Sequence, residues 1–183
     1  FASVAKRAFL GSIDKGIAIG TGSAPDSFTG CFVASAGGIP AGSDINCGAA
    51  GAPKIVDLSN VAYRLLASGA NPETSAIIIS PLLLRGILTD TTAGTEAFRN
   101  ELALQGSIMG IPIEPSGYAP TATAAGSYVG VAVDLAQYSV AIALDLRVDL
   151  ISVVGTDAAT MQSVMYLAGR PSIGAQAFRL KTV

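Results

Sequence analysis

The stretch Asp57-Leu58-Ser59-Asn60-Val61-Ala62-Tyr63-Arg64-Leu65-Leu66-Ala67-Ser68-Gly69 places Leu58, Val61, Ala62, Leu65 and Leu66 at helical spacing, the apolar stripe of an amphipathic helix. Asp57 stands where an N-cap carboxylate would accept the first free amides, and Gly69 stands where the chain can turn out of the helix. Shortly after comes Ala76-Ile77-Ile78-Ile79, an apolar run too short for a helix, closed by Ser80-Pro81. It predicts a buried strand followed at once by a helix over Pro81–Leu88, because proline suits the first helical position.

Downstream, a polar, Thr-rich turn over Thr89–Thr95 leads to Glu96–Leu104, which fits helix and loop equally. Ser107–Ile113 reads as extended, with Pro112 and Pro115 fixing its exit. The clearest strand is Ser139–Leu150, where Val140, Ile142, Leu144, Leu146, Val148 and Leu150 alternate against Asp145, Arg147 and Asp149. A period of two held that long predicts an antiparallel strand with one wet face. Met161–Ala168 and Ala175–Val183 predict two further strands on either side of the turn signal Gly169-Arg170-Pro171, with Phe178 and Leu180 alternating against Arg179 and Lys181.

Upstream, Ser3–Ile19 fits a helix broken at Gly20 and Gly22. It begins at Phe1 without a cap, so the chain is expected to start inside an element, with more sequence before it. Gly20–Lys54 is rich in Gly, Ala, Ser and Pro and reads as a long loop region with at most one strand, at the apolar run Cys31–Ala34. Helix, strand, helix and then a run of strands predicts an α+β fold with mixed or antiparallel sheets and flanking helices.

Half of the 183 residues are hydrophobic, only 13% are charged, and the mean hydropathy is +0.54. A membrane-spanning helix needs about 20 consecutive apolar residues. The longest charge-free stretches, Ser27–Ser43 and Pro115–Val133, are broken by Gly, Pro, Ser and Thr. Phe1–Gly20 mixes Lys6, Arg7, Asp14 and Lys15 into its apolar residues, unlike a signal peptide. The composition therefore predicts a soluble protein whose surface is covered by neighbours. A net charge of −2 and a pI near 5.0 argue against a protein that grips nucleic acid by its phosphates. Arg170, Arg179 and Lys181 near the end read as a solvated face, or as contacts to an adjacent subunit.

Catalytic chemistry finds little to work with. Histidine is absent, which removes Ser-His-Asp and Cys-His arrangements and the commonest zinc ligand. Cys31 and Cys47 lack the spacing of a zinc knuckle or a redox pair. Asp145 and Asp149 share a strand face, but Arg147 between them favours a salt-bridged surface over a metal site. Lys6, Lys15, Lys54 and Lys181 sit in no motif that would activate a nucleophile. Gly20-Thr21-Gly22-Ser23 is the one phosphate-like turn, and its order is inverted: a helix precedes it and a loop follows. No catalytic residue, metal or cofactor is expected.

The order of signatures resembles the major capsid protein family of tailed bacteriophages and prophages, the Hong Kong 97 fold, which encapsulin shells share in outline. Asp14–Ser23 is similar to the end of that family's spine helix and the Gly-Thr-Gly turn behind it, although Thr29-Gly30-Cys31-Phe32 stands where a Gly-Ile or Gly-Leu step is usual. Asp57–Gly69 with Ala76–Pro81 resembles the helix, buried strand and Asn/Ser-Pro step of the axial domain. Leu104-Gln105-Gly106-Ser107-Ile108-Met109-Gly110-Ile111-Pro112-Ile113 is the most specific local match. Ser127–Asp134 with Tyr138, then Arg170-Pro171 and Ala177-Phe178, resemble the later strands.

The resemblance implies residues 1–20 as the end of a peripheral-domain spine helix, 21–150 as an axial domain with its Gly-rich loop, and 151–183 as peripheral strands. The family's N-terminal arm, extended loop and most of the spine helix would precede Phe1. It implies a structural protein, not an enzyme, that assembles with copies of itself as pentamers and hexamers into an icosahedral virion shell. The shell encloses double-stranded DNA without reading its sequence, and the subunit is made in the bacterial host cytoplasm. Thr89, Asp90, Thr91, Thr92, Gly94 and Thr95 are then candidate capsomer contacts, and Arg147, Arg170, Arg179 and Lys181 candidate inter-subunit charges. No membrane is implied, and a truncated chain of this kind is expected to be able to persist as a monomer. The alternatives are an encapsulin-type compartment and a small nucleotide-binding enzyme built on Gly20–Ser23. Thermal-shift measurements separate the last of these: ATP and NAD are expected to leave the melting temperature unchanged, and clear stabilisation would favour the enzyme.

Overall fold

In a computed structural model describing residues 2–22, 28–33, 39–48, 52–91, 94–152, 159–171 and 176–183, with side chains set aside at 2–9, 41, 142–152, 159–167 and 171, the predicted amphipathic helix forms with one change at its start. Helix α2 spans Ile55–Ala67, so Asp57 is its third residue and Lys54 occupies the cap. The Asp57 carboxylate reaches backward instead: Oδ2 accepts from the Lys54 amide at 2.8 Å and Oδ1 from the Gly48 amide at 2.9 Å. Both bonds are charge-assisted, and they tie the preceding loop to the positive end of the helix. Ile55, Leu58, Val61, Ala62 and Leu65 are buried, as the spacing requires, and Gly69 leaves at φ +84°.

Strand β2 (Ser75–Ile79) follows, and Ser80 Oγ accepts from the Leu83 amide at 3.2 Å to start α3 (Pro81–Leu88). Glu96–Gln105 is helix α4, ended by Gly106 in the left-handed conformation. The next segment is a tight hairpin, not a single extended piece. Strands β3 (Ser107–Ile108) and β4 (Ile111–Pro115) turn at Met109 (φ +54°) and Gly110 (φ +77°), the pair of positive φ values that a two-residue hairpin needs. Pro112 therefore lies inside β4, and Glu101 Oε1 holds the tip by accepting from the Gly110 amide at 3.1 Å.

These strands join β1 (Asp44–Asn46), β5 (Tyr128–Asp134) and β8 (Ala177–Lys181) in one six-stranded sheet of order β1-β8-β5-β2-β4-β3. The pairs β1–β8 and β2–β4 are parallel and the others antiparallel. One face packs Ile77, Ile79, Ile111 and Leu180 against Leu58, Leu65, Leu83, Ile87 and Leu102 of the three helices. The other face packs Val131, Val133 and Ala177 against Ala18, Cys31, Phe32 and Ile39. The strand predicted at Cys31–Ala34 is a turn over residues 31–33, Ala34 lies outside the described residues, and the loop region's strand is β1.

Strands β6 (Tyr138–Ser152) and β7 (Ala159–Pro171) form a separate antiparallel ribbon. Its register shifts between Ile142 and Leu144 and again before Arg147, so the period-two face read from the sequence is interrupted, and Val140 is exposed. Strand β7 runs through Gly169-Arg170-Pro171, where a turn was expected, because the Thr29 amide binds the Gly169 carbonyl at 2.8 Å and extends the pairing. The boundary expected at residue 150 falls within β6, and β8 belongs to the larger sheet beside β5. The architecture is α+β, and among the described residues no helix is long and apolar enough to cross a membrane.

The ribbon and helix α1 (Ala2–Ile19) meet at Phe28. A Cβ placed on Gly16 would stand 2.7 Å from the Phe28 ring, and one on Gly169 would stand 2.7 Å from it on a second contact. Tyr138 Oη donates to the Thr29 carbonyl at 3.0 Å beside them. The packing leaves no room for a methyl group, so Gly169→Ala is expected to cost about 1–3 kcal/mol in urea unfolding, as overpacking does. Gly42→Ala, where a Cβ meets nothing within 4 Å, should leave stability almost unchanged.

Candidate assembly surface

The Gly-rich turn after α1 is used for closing a helix. The Gly20 amide donates to Gly16 O, the Gly22 amide to Phe28 O, and the Gly30 amide to Gly20 O, at 2.7–2.9 Å. The Cys31 and Phe32 amides cap the last carbonyls of α1, at Ile17 (2.8 Å) and Ala18 (3.0 Å). A phosphate at this end would face the negative pole of the helix with these amides already spent, so the nucleotide reading of Gly20–Gly22 fails. Ser23 lies outside the described residues.

Arg179 corrects a second expectation. It is fully buried, and its partners belong to its own chain. Its Nε donates to Asp44 Oδ1 at 2.8 Å, and Nη2 lies 2.7 Å from the same oxygen but off the hydrogen-bond axis, so that contact is ionic. Nη1 donates to the Val33 carbonyl at 3.3 Å, and the guanidinium lies 4.2 Å from the centre of the Tyr128 ring. Tyr128 Oη donates to Asp44 Oδ2 at 3.0 Å, and burial together with that bond pushes its phenol up. The alternation of Phe178 and Leu180 against Arg179 and Lys181 suggested a wet face. The turn at residues 31–33 lies over that face instead, and β1 flanks the strand on its edge.

The other candidates lie apart. Lys181 is half-buried, with Nζ 6.0 Å from the Tyr128 ring, and Arg170 is exposed on β7. The side chains of Arg147, Asp145 and Asp149 fall outside those described. In the α3–α4 loop, Thr89, Thr91 and Gly94 are exposed, Asp90 is half-buried, Thr95 is buried, and Thr92 lies outside the described residues. Arg99 Nη1 donates to the Asp90 carbonyl at 2.7 Å and anchors this loop to α4. Leu82 and Leu88 of α3, Leu104 of α4 and Met109 of the β3–β4 turn are also exposed, with Leu104 at 85%. Nothing in the sequence signalled these outward leucines, because a short helix with leucine on several faces does not identify which face is covered. Among the described residues, no three His, Cys, Asp or Glu side chains are placed to hold a metal ion.

No protein family matches the sequence, and no curated protein is significantly similar to it. Solved structures are similar. The capsid of the empty GTA particle superposes on 100% of this chain and 65% of its own, at a TM-score of 0.77 and 19% identity. This chain has a phage-capsid fold. Mycobacterium phage Bobi matches over 94% of this chain and 60% of its own, at a TM-score of 0.61 and 16% identity. The holo-SrpI encapsulin complex from Synechococcus elongatus PCC 7942 matches over 78% and 54%, at 0.54 and 16%. The chain thus spans about two thirds or less of the capsid-fold chains it resembles.

Within this capsid fold, Cys31 reports on the contact between α1 and the sheet. It is 1% exposed, and burial pushes its thiol up to about 12, opposed by the nearby Arg179 charge. The folded state therefore holds the proton after the unfolded chain has released it, so stability is full below the ordinary thiol range of about 8.5 and falls as pH rises toward 12. Denaturant titrations are expected to show this decline above about pH 8.5, and Cys31→Ala should make it shallower, the rest remaining with the buried Cys47 thiol, which burial pushes up to about 11.

Proposed function

We propose that this chain is the larger part of a major capsid subunit, which assembles with copies of itself as pentamers and hexamers into an icosahedral shell around double-stranded DNA. The observation that carries the reading is the match of the entire chain to the GTA particle capsid at a TM-score of 0.77. An apolar, weakly charged composition and outward leucines on α3 and α4 support a protein covered by neighbours. In this reading α1 and the β6–β7 ribbon form a peripheral lobe, and the six-stranded sheet with α2–α4 forms an axial lobe that also takes in β8. The Thr89–Thr95 loop is a capsomer contact, and Arg147, Arg170 and Lys181 are inter-subunit charges, with Arg179 withdrawn from that set. The role is structural, not enzymatic, and its place is the virion after synthesis in a bacterial host.

An encapsulin-type compartment is the second reading, favoured by the match to the Synechococcus complex. Electron microscopy of the full-length gene product expressed in bacteria is expected to show closed shells or capsomers. Nuclease-resistant DNA inside them supports the capsid, protein contents support the compartment, and monomers under all conditions overturn both.

A further inference from the structure

A cleft of about 300 Å³ opens between the last turns of α1 and the chain leaving β4. Its floor is apolar, formed among others by Ile17, Phe32 and Ile78. Its lip carries Asp14 from α1, Glu114 from β4 and Tyr118. Both carboxylates are exposed, and among the described residues neither has an ion-pair partner and no lysine or arginine lines the cleft. Tyr118 is 41% exposed and held in place, its amide donating to Ser116 Oγ at 3.2 Å and its hydroxyl lying against α1 at Gly11.

An apolar floor under an acidic, aromatic lip selects its occupant by charge. A wholly apolar occupant would strip water from two carboxylates and give nothing back, and an acidic one would be repelled. A cation is drawn to both the carboxylates and the tyrosine face. Strand β4 pairs with β2 along Ile113–Pro115 and with β3 at Ile111–Pro112, and the groups it presents at the lip of the cleft are side chains, so we assign recognition here to side chains. We propose that this cleft docks a peptide segment of a partner protein whose apolar side chain enters the floor while flanking lysine or arginine side chains meet Asp14, Glu114 and Tyr118. The proposal stands apart from the shell reading, since it rests on the cleft's own lining residues.

The test is calorimetric titration of the 183-residue chain with three capped peptides, Lys-Phe-Lys, Glu-Phe-Glu and Lys-Gly-Lys. Lys-Phe-Lys is expected to bind about tenfold more tightly than either comparator and to weaken in salt. The double variant Asp14→Asn, Glu114→Gln should lose about tenfold in that affinity while its melting temperature is unchanged. Glu114→Lys, still folded, should shift the preference toward Glu-Phe-Glu. Absence of binding, equal binding of the acidic peptide, or an unaffected double variant overturns the proposal. So does self-association of the chain that the double variant abolishes, which would make a second copy the occupant.

Discussion

Everything in this fold is arranged around the crossing of residues 28–32 over the end of α1. A helix leaves its last carbonyls without partners, and burying them unpaired would cost more than the packing returns. Here the Cys31 and Phe32 amides supply the partners, and the same short segment lends Phe28 to the ribbon and Cys31 and Phe32 to the sheet. Three pieces of structure distant in sequence are therefore fixed by one strip of chain. Glycine at 16, 20, 30 and 169 is what allows backbones to come this near, since a Cβ at any of them would stand 2.4–2.7 Å from an existing atom.

A second constraint is electrostatic. Arg179 is removed from water entirely, a placement that is tolerable only with compensating partners. Asp44, the Val33 carbonyl and the Tyr128 ring supply them, and β1 is held to β8 where Asp44 and Arg179 stand opposite each other. The network makes a three-residue edge strand specific in register, and a shift by one residue would strand the guanidinium.

How much of this was legible depended on whether a segment met one environment or two. Helix α2, β2 and α3 declared themselves because each has one covered face and a distinct stop or start at Gly69 and Ser80-Pro81. Strand β5 did not, because both its faces are buried and its apolar run carries no period. Asp57 was read as a cap and stands three residues after the true one, Lys54, and only the structure reveals the Gly48 amide it also binds. The basic Arg179 was misleading because long-range partners, invisible in local sequence, had already claimed it, whereas the glycines end α1 as their order after a helix suggested. At the candidate surface, the exposed threonines of the α3–α4 loop were legible as a polar turn, whereas the outward leucines were indistinguishable from core leucines.

The position of β8 also governs when this fold can form. It lies between β1 and β5, and its Arg179 meets Asp44 across 135 residues of sequence. Until that strand is made, β5 has an open edge and β1 has no neighbour, however much of the chain has already been synthesised. Translation order thus acts as a timer: the six-stranded sheet closes only after the whole intervening chain has left the ribosome, and until then an unfinished molecule presents an incomplete surface to any other copy.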